Sequence, residues 1–189
     1  MHNFPKSEAA TERLAAFFTP EFYRVLLLLP APPSGLFYFW CPMYQLSRRS
    51  FERLKGVHGD LSLVMCRAIN LATTDFGIFE GLRTLEKQQQ YLAAGKSKTL
   101  DSRHLTGDAV DVFAWHEGKY RPELGYYIDI AHSIQQAAEE LKVSVTWGAC
   151  WMPLNEITDL QGAIVAYSER KKNAGRKPFI DAGHFELTR

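Results

Sequence analysis

The sequence predicts an α+β domain, with a small antiparallel sheet and helices packed on one side of it. Three observations lead to this class. The predicted elements up to residue 147 follow the order α-α-β-α-β-α-β, the helical patterns cluster early in the chain, and the strand patterns are short. A chain of 189 residues with 46% hydrophobic and 23% charged residues can bury one core and has the composition of an ordinary globular domain.

The elements are predicted from caps and from apolar spacing. Ser47 is a candidate N-cap for the first helix, Thr84 caps a later helix, and Gly95 closes it. Helices are expected over residues 47–53, 60–71, 85–94 and 125–141, and strands over 76–80, 109–114, 143–147 and 184–187. The segment between the last two strands is expected to be a loop rich in glycine and aromatic residues.

Residues 1–42 differ in character from the rest of the chain. No charged residue occurs from Val25 to Ser47, which is typical of a secretory signal or a membrane anchor. Prolines and Gly35 interrupt this stretch, and acidic residues precede it. We therefore predict that residues 1–42 are a poorly ordered leader, or that the start of the protein is assigned too far upstream. The domain is predicted to span residues 43–189. Membrane anchoring through residues 25–47 is the minor alternative.

The overall charge and the cysteines argue against several classes of protein. A formal net charge of +1 creates no field of one sign, so neither nucleic acid nor a membrane surface is an expected partner. The three cysteines, Cys41, Cys66 and Cys150, are odd in number and lack CxxC spacing. This pattern argues against a disulfide framework and against a cysteine-based zinc site.

Two histidines and two carboxylates form a candidate metal site. His104 and Asp111 lie in the segment 102–111, and Asp181 precedes His184 by three residues near the end of the sequence. A hydrolytic zinc ion takes three protein ligands of these types and needs a nearby base. Pairing of the strand at 109–114 with the last strand would bring His184 beside Asp111. The alternative for each histidine is a surface or hydrogen-bonded core residue.

Four sequence blocks resemble one family. The run Ser102-Arg-His-Leu-Thr-Gly-Asp-Ala-Val-Asp111 is similar to the SxHxxGxAxD signature of the D-Ala-D-Ala carboxypeptidase/L-alanyl-D-glutamate zinc peptidase family, which has the hedgehog/D,D-peptidase fold. Trp147-Gly-Ala-Cys-Trp151 and Asp181-Ala-Gly-His-Phe-Glu186 are similar to its two later blocks. Glu80-Gly-Leu-Arg-Thr84 and the loop before His104 resemble the phage endolysin branch.

The resemblance implies a site and a role for each residue in it. It implies one Zn²⁺ in a surface cleft, held by His104, Asp111 and His184. Asp181 is implied as the catalytic base, and Arg83 as the cation that stabilises the carbonyl oxygen. The alternative for Arg83 is a surface ion pair with Glu80 or Glu86, which would contribute little to stability.

Other polar residues near these blocks have open roles. Ser102, Glu186 and Trp147 are candidates for contacting the substrate or for orienting a metal ligand. Ser102 could equally form the turn, and Asp108 is expected to be a solvated charge. The family block carries Asp or Asn before its second tryptophan, whereas this chain has Cys150 there. A buried cysteine that acts as a small hydrophobe is favoured over one that touches the metal.

The implied activity is hydrolysis of the peptide stem of bacterial peptidoglycan, at the L-Ala–D-Glu bond, by a phage or prophage lysis enzyme. A D-Ala-D-Ala carboxypeptidase or dipeptidase and a non-catalytic zinc-binding module are the alternatives. Stem peptides are the expected partners of a monomeric protein. Few residues follow His184, so we expect no wall-binding domain after it and a Gram-negative host. Such an enzyme would wait in the host cytoplasm and act in the periplasm after a membrane lesion.

Overall fold

The computed structural model describes residues 43–95 and 97–188, and these residues form the predicted α+β domain. Five helices occur in this described part: α1 (Arg48–Leu54), α2 (Gly59–Leu71), α3 (Leu85–Ala93), α4 (Leu124–Leu141) and α5 (Leu160–Asn173). Its six strands are β1 (Asp75–Glu80), β2 (Ala109–His116), β3 (Lys119–Arg121), β4 (Val145–Trp147), β5 (Met152–Pro153) and β6 (His184–Leu187).

The strands form one antiparallel sheet in the order β1-β2-β6-β4-β5, and β3 forms a hairpin with the end of β2. The central strand β2 pairs with β1 on one side and with the last strand, β6, on the other. Residues far apart in the sequence therefore meet near the middle of the sheet.

The core lies between this sheet and two helices that pack against each other, α2 and α4. Apolar residues of these helices recur four positions apart, so they share one face of each helix. The core also contains Trp147 of β4 and Phe185 of β6, whose rings are stacked with centroids 6.2 Å apart. Large, fully buried side chains of this core include Leu61, Met65, Ile130, Ile134, Trp147 and Phe185.

Two predicted helix caps are confirmed. The Ser47 hydroxyl accepts a hydrogen bond from the Ser50 amide at 3.2 Å, and the Thr84 hydroxyl accepts one from the Lys87 amide at 3.3 Å. His58 caps α2, because its Nδ1 atom accepts a hydrogen bond from the Asp60 amide at 3.3 Å. The other predicted helices and strands occur with ends shifted by one or two residues, as is usual where helices fray.

The prediction of a loop between β4 and β6 was wrong, because this segment contains the strand β5 and the helix α5. Helix α5 buries only Leu160, Ile164 and Tyr167, and its last turn is basic. Its apolar face is therefore too narrow to give a clear helical pattern in the sequence. Asp159 caps it by accepting a hydrogen bond from the Gly162 amide at 3.0 Å. The sequence does contain a pattern that predicts α5: the capping residue Asp159, followed by Leu160 and by further apolar residues four and seven positions after Leu160.

The predicted leader, residues 1–42, lies outside the described residues, as does most of the candidate anchor at 25–47. Among the helices of the described residues, none combines the length and the apolar character needed to cross a membrane.

Candidate metal centre and active-site cleft

Three neighbouring strands bring the candidate residues together at the middle of the sheet. Asp111 on β2 pairs with Glu80 on β1 and with His184 on β6. This register confirms that the last strand places His184 beside Asp111. The valines on either side of Asp111 are buried in the core, whereas Asp111 lines the opposite, open face.

A tight turn brings the second histidine over the same point. Residues Arg103–Leu105 form a 3-10 turn whose start is capped by the Ser102 hydroxyl, which accepts a hydrogen bond from the His104 amide at 3.4 Å. Gly107 follows with φ of 76°, a conformation that favours glycine. A Cβ atom at Gly107 would lie 2.2 Å from the Gly56 carbonyl oxygen. The turn thus depends on a glycine at this position.

The two histidines and the aspartate converge on one point. His104 Nε2 lies 3.2 Å from Asp111 Oδ1 and 3.3 Å from His184 Nδ1, and His184 Nδ1 lies 3.0 Å from Asp111 Oδ1. These three atoms, each a potential ligand, all lie within 4.8 Å of one another. A cluster of two imidazole nitrogens and one carboxylate oxygen is a donor set that suits a divalent metal ion such as zinc.

The outer nitrogen of each imidazole ring is held by a separate acceptor. His104 Nδ1 lies 2.8 Å from the Gly81 carbonyl oxygen, so Nδ1 carries the proton and donates it. In the neutral ring, Nε2 then presents a lone pair toward Asp111 and His184. His184 Nε2 lies 3.0 Å from Glu186 Oε2, which leaves Nδ1 to face the cluster. Metal-binding histidines are characteristically oriented in this way by a carbonyl or a carboxylate.

The charges of the cluster are strongly coupled. Burial by itself raises the pKa of Asp111, but hydrogen bonds and charges from His104 and His184 outweigh it and lower that pKa well below its usual range. Burial lowers the pKa of His184, yet hydrogen bonds from its ring to Asp111 and Glu186 raise it to about 9. In the absence of a metal ion, a proton on His184 therefore neutralises part of the carboxylate charge.

Asp181 lies in the turn that leads into β6 and lines the same cleft. Its amide donates to the Gly148 carbonyl at 3.0 Å, and its carbonyl accepts from the His184 amide at 3.2 Å. Burial raises the pKa of the Asp181 carboxyl above its ordinary value, and the nearby Asp111 carboxylate raises it further. A carboxyl with a raised pKa holds a proton more readily than an ordinary carboxyl, which suits a group that accepts and returns a proton.

Arg83 is buried beside the cluster rather than on the surface. Its Nη2 atom lies 2.6 Å from Glu80 Oε2 and 3.5 Å from Asp111 Oδ2, and its Nη1 donates to Gln88 Oε1 at 2.7 Å. The guanidinium also lies over the Tyr91 ring, 4.7 Å from its centroid. The ion pair with Glu80 that the sequence offered as an alternative is therefore present, but it is buried, and Arg83 lines the cleft.

The cleft around these residues has a volume of about 540 Å³. One wall is aromatic: the Trp151 ring stacks on Phe179 with centroids 5.9 Å apart and lies 5.6 Å from the His184 ring. Trp151 has φ of 55°, and its indole Nε1 donates to the Phe179 carbonyl at 2.8 Å. Sequence spacing does not mark either aromatic side chain of this wall, because Trp151 and Phe179 come from segments 28 residues apart.

The remaining candidates take structural positions. Trp147 is fully buried and its indole donates to the Ala182 carbonyl at 2.9 Å, so it holds the turn before His184 and has no surface that a substrate could contact. Ser102 caps the turn and lines the cleft. Cys150 is fully buried, as a small hydrophobe would be. Asp108 is not a solvated charge, because Arg103 and Thr106 contact its carboxylate.

Comparison with known proteins assigns the chain to a protein family. A family model for phage L-alanyl-D-glutamate peptidase matches residues 43–188. The chain belongs to this family. The L-alanyl-D-glutamate peptidase of Escherichia phage T5 is 32% identical over 148 residues, which cover 76% of this chain and 98% of that relative. Among solved structures, the L-Ala D-Glu endopeptidase ChiX of Serratia marcescens superposes with a TM-score of 0.58 and 35% identity, covering 77% of this chain and 92% of that one.

Membership of the phage L-alanyl-D-glutamate peptidase family confirms the resemblance drawn from the four sequence blocks. The matched region begins at Met43, where the sequence predicted that the domain starts, and it contains every residue of the cluster and the cleft. The cleft is therefore the candidate active site of a peptidase.

Proposed function

We propose that this protein is a zinc-dependent L-alanyl-D-glutamate peptidase, which hydrolyses the L-Ala–D-Glu bond in the peptide stem of bacterial peptidoglycan. The observation that carries the proposal is the convergence of His104 Nε2, Asp111 Oδ1 and His184 Nδ1 within 4.8 Å of one another. These atoms line a cleft that also contains Asp181 and Arg83, in a chain that belongs to a peptidase family.

The donor set and its surroundings support zinc as the metal. His104, Asp111 and His184 would hold the ion, and the hydrogen bonds to the Gly81 carbonyl and to Glu186 already orient both rings for that task. When bound, zinc supplies Lewis acidity, which polarises a carbonyl group and makes a water molecule acidic near neutral pH.

Asp181 is proposed as the catalytic base. Its carboxyl lines the cleft, and its raised pKa lets it take a proton from the attacking water and pass it to the amine of the leaving product. The hydrogen bonds of its backbone to Gly148 and His184 fix the turn that carries it. A base held on a fixed turn loses little entropy when it acts.

Arg83 is proposed as the cation that opposes the negative charge that grows on the carbonyl oxygen during attack. Its guanidinium is held from three sides by Glu80, Gln88 and the Tyr91 ring, so it is oriented before the substrate arrives. A group oriented in advance stabilises charge without reorganising at the moment of reaction. The presence of both Arg83 and Asp181 in the cleft argues against a non-catalytic zinc-binding module.

The biological role proposed is lysis of a bacterial host by a phage or prophage. The enzyme would wait in the host cytoplasm as a monomer and reach peptidoglycan in the periplasm through a membrane lesion. The family and both relatives favour cleavage of L-Ala–D-Glu over removal of terminal D-Ala, which is the activity of the rival carboxypeptidase.

Digestion of purified muropeptides, followed by mass spectrometry, tests the scissile bond. We expect products that end in L-Ala and products that begin with D-Glu, with activity that is lost to a chelator and restored by Zn²⁺. Release of D-Ala with the L-Ala–D-Glu bond intact would establish the rival carboxypeptidase. Retention of full activity in metal-free protein would refute zinc dependence.

Asp181→Asn tests the base. Loss of a general base lowers kcat by about 10²–10⁴-fold, and we expect zinc content to stay at the wild-type level because Asp181 is not one of the three converging ligands. Asp60→Asn, an exposed carboxylate at the start of α2, is the matched control. Unchanged activity in the Asp181 variant with zinc bound would require another base.

A further inference from the structure

The proposed substrate carries a charge that the site described so far does not bind. The glutamate residue on the amine side of an L-Ala–D-Glu bond has two carboxyl groups, and only one can continue the peptide. The other is a free carboxylate, unless it is amidated. This inference rests on the proposed function, and it asks which group of the cleft binds that carboxylate.

Most positive charges of the cleft are already paired. Arg83 is bound to Glu80 at 2.6 Å and approaches Asp111. Arg103 donates to the Leu187 carbonyl at 2.6 Å, and its guanidinium lies 3.4 Å from Asp108 and 3.8 Å from Glu186. These arginines neutralise the protein's own carboxylates.

Lys98 is the exception among the described lysines and arginines of the cleft lining. It is exposed, it lines the cleft, and no carboxylate of the described residues lies within ion-pairing distance of its ammonium group. An unpaired cation at the rim of a cleft can exchange its hydration water for a substrate carboxylate without first breaking an internal ion pair.

The backbone around Lys98 is held by a buried side chain. Gln88 of α3 is fully buried, and its amide donates to the Ser97 hydroxyl at 2.8 Å and to the Thr99 carbonyl at 2.6 Å. The residues on both sides of Lys98 are therefore fixed. The Oε1 atom of the same Gln88 accepts the hydrogen bond from Arg83. The Gln88 side chain thus contacts both Arg83 and the residues that flank Lys98.

We propose that Lys98 binds the free carboxylate of the D-Glu residue and that it thereby determines specificity for acidic over amidated stem peptides. Gln88 is a positioning residue in this arrangement, because it acts through the loop that carries Lys98. Lys98 is exposed, so the contribution of its charge falls as salt screens it.

Two synthetic stem peptides test this inference when they differ at one group. The glutamate residue carries a free carboxylate in the first and a carboxamide in the second. We expect the wild-type enzyme to cleave the first with kcat/KM roughly tenfold higher, the scale of one charge-assisted hydrogen bond. Lys98→Gln should remove this preference by slowing only the acidic peptide, and Lys98→Arg should retain most of it.

Lys172→Gln, an exposed lysine of α5 outside the cleft, is the charge-matched control and should leave the preference unchanged. High salt should reduce the preference of the wild type but not that of Lys98→Gln. Equal slowing of both peptides by Lys98→Gln, or no preference in the wild type, would overturn the role of Lys98. Failure of the wild type to cut either peptide would overturn the proposed function itself.

Discussion

Gly148 and Asp181 are in direct backbone contact, and this contact leaves no room for a side chain on Gly148. The Asp181 amide donates to the Gly148 carbonyl at 3.0 Å. A Cβ atom on Gly148 would lie 2.6 Å from the Asp181 carbonyl oxygen and 2.9 Å from the Cβ atom of His184. The end of β4 therefore sets the positions of the proposed base and of His184, a proposed metal ligand.

Gly148→Ala is expected to lower hydrolytic activity by more than about tenfold, because the added methyl group must displace the turn that carries Asp181. The same overpacking should lower the free energy of unfolding by about 1–3 kcal/mol. Activity on muropeptides and denaturant unfolding measure the two effects. Gly125→Ala is the control: nothing lies within 4 Å of a Cβ atom there, so activity should be unchanged and the α4 helix slightly stabilised.

Glu186→Gln is expected to weaken metal binding by about 10–100-fold, the usual effect of altering a partner that orients a ligand. Glu186 holds His184 Nε2 at 3.0 Å, and the neutral amide makes a weaker hydrogen bond than the carboxylate. Competition with a chromophoric chelator measures the affinity. Glu139→Gln, an exposed residue of α4, is the matched control. Equal affinity in both variants would mean that Glu186 does not orient the ring.

The sequence alone predicts the candidate metal-binding cluster more completely than the cleft around it. His104, Asp111 and His184 were predicted as a cluster because they occur in short motifs: strand register brings Asp111 and His184 together, and His104 lies in the turn just before the strand of Asp111. The position of Arg83 beside Asp111 agreed with the family blocks. Motifs of this kind are read from neighbouring residues, so one sequence is enough to find them.

The parts that the sequence did not predict depend on packing between distant segments. The contacts of Gln88 with Arg83 and with the loop at 97–99 have no periodic pattern, since each joins one side chain to another element. Trp147 and Trp151 are four residues apart, yet one is in the core and the other lines the cleft. The backbone of Trp151 has a positive φ, which directs its side chain away from the core that contains Trp147. The spacing of the two residues in the sequence does not predict this backbone conformation.

Gln88→Met is expected to lower kcat by roughly tenfold or more and to cost about 1–3 kcal/mol of stability, because it leaves Arg83 Nη1 and the Thr99 carbonyl without their buried partner. Zinc content should not change, since Gln88 contacts no ligand of the cluster. Gln88→Glu keeps an acceptor for Arg83 but removes the amide donors to the loop, so it should raise KM more than it lowers kcat.

Steady-state kinetics with metal analysis of the purified variants checks this prediction. Gln89→Met, an exposed neighbour on α3, is the control and should behave as the wild type. If Gln88→Met loses stability but keeps the wild-type kcat, the residue is structural and Arg83 is oriented by Glu80 and Tyr91 alone.

A chain that starts at Met43 is expected to fold and to keep full activity on muropeptides, because the family match and all the cleft residues lie within 43–188. Thermal unfolding and muropeptide digestion of the full and shortened chains provide the comparison. A chain that starts at Gly59 is the contrasting control: it lacks α1, whose Arg53 and Ser50 hydrogen-bond the Ile78 backbone of β1 at 2.6 and 3.1 Å. Loss of folding in the first variant would show that residues 1–42 belong to the domain.

Glu80 is expected to make the stability of the domain sensitive to acid. Burial raises the pKa of its carboxyl, but hydrogen bonds and charges from Arg83 and Lys87 outweigh it and hold that pKa below the ordinary value of 4.5. The folded state thus binds fewer protons than the unfolded state in this range. The stabilisation by Glu80 is complete above pH 4.5, and it is lost as the pH falls through the lowered pKa of the folded state.

Glu80→Gln should therefore lower the free energy of unfolding by about 3 kcal/mol at neutral pH, where it removes the nearest carboxylate of the buried Arg83 guanidinium, and by much less in acid. Guanidinium unfolding of metal-free protein at neutral pH and at about pH 3 compares the two conditions. Glu140→Gln is the matched control, because its ion pair with Arg67 is partly exposed and should contribute less than about 1 kcal/mol. A constant difference between wild type and Glu80→Gln across this range would mean that the pKa of Glu80 is the same in the folded and unfolded states.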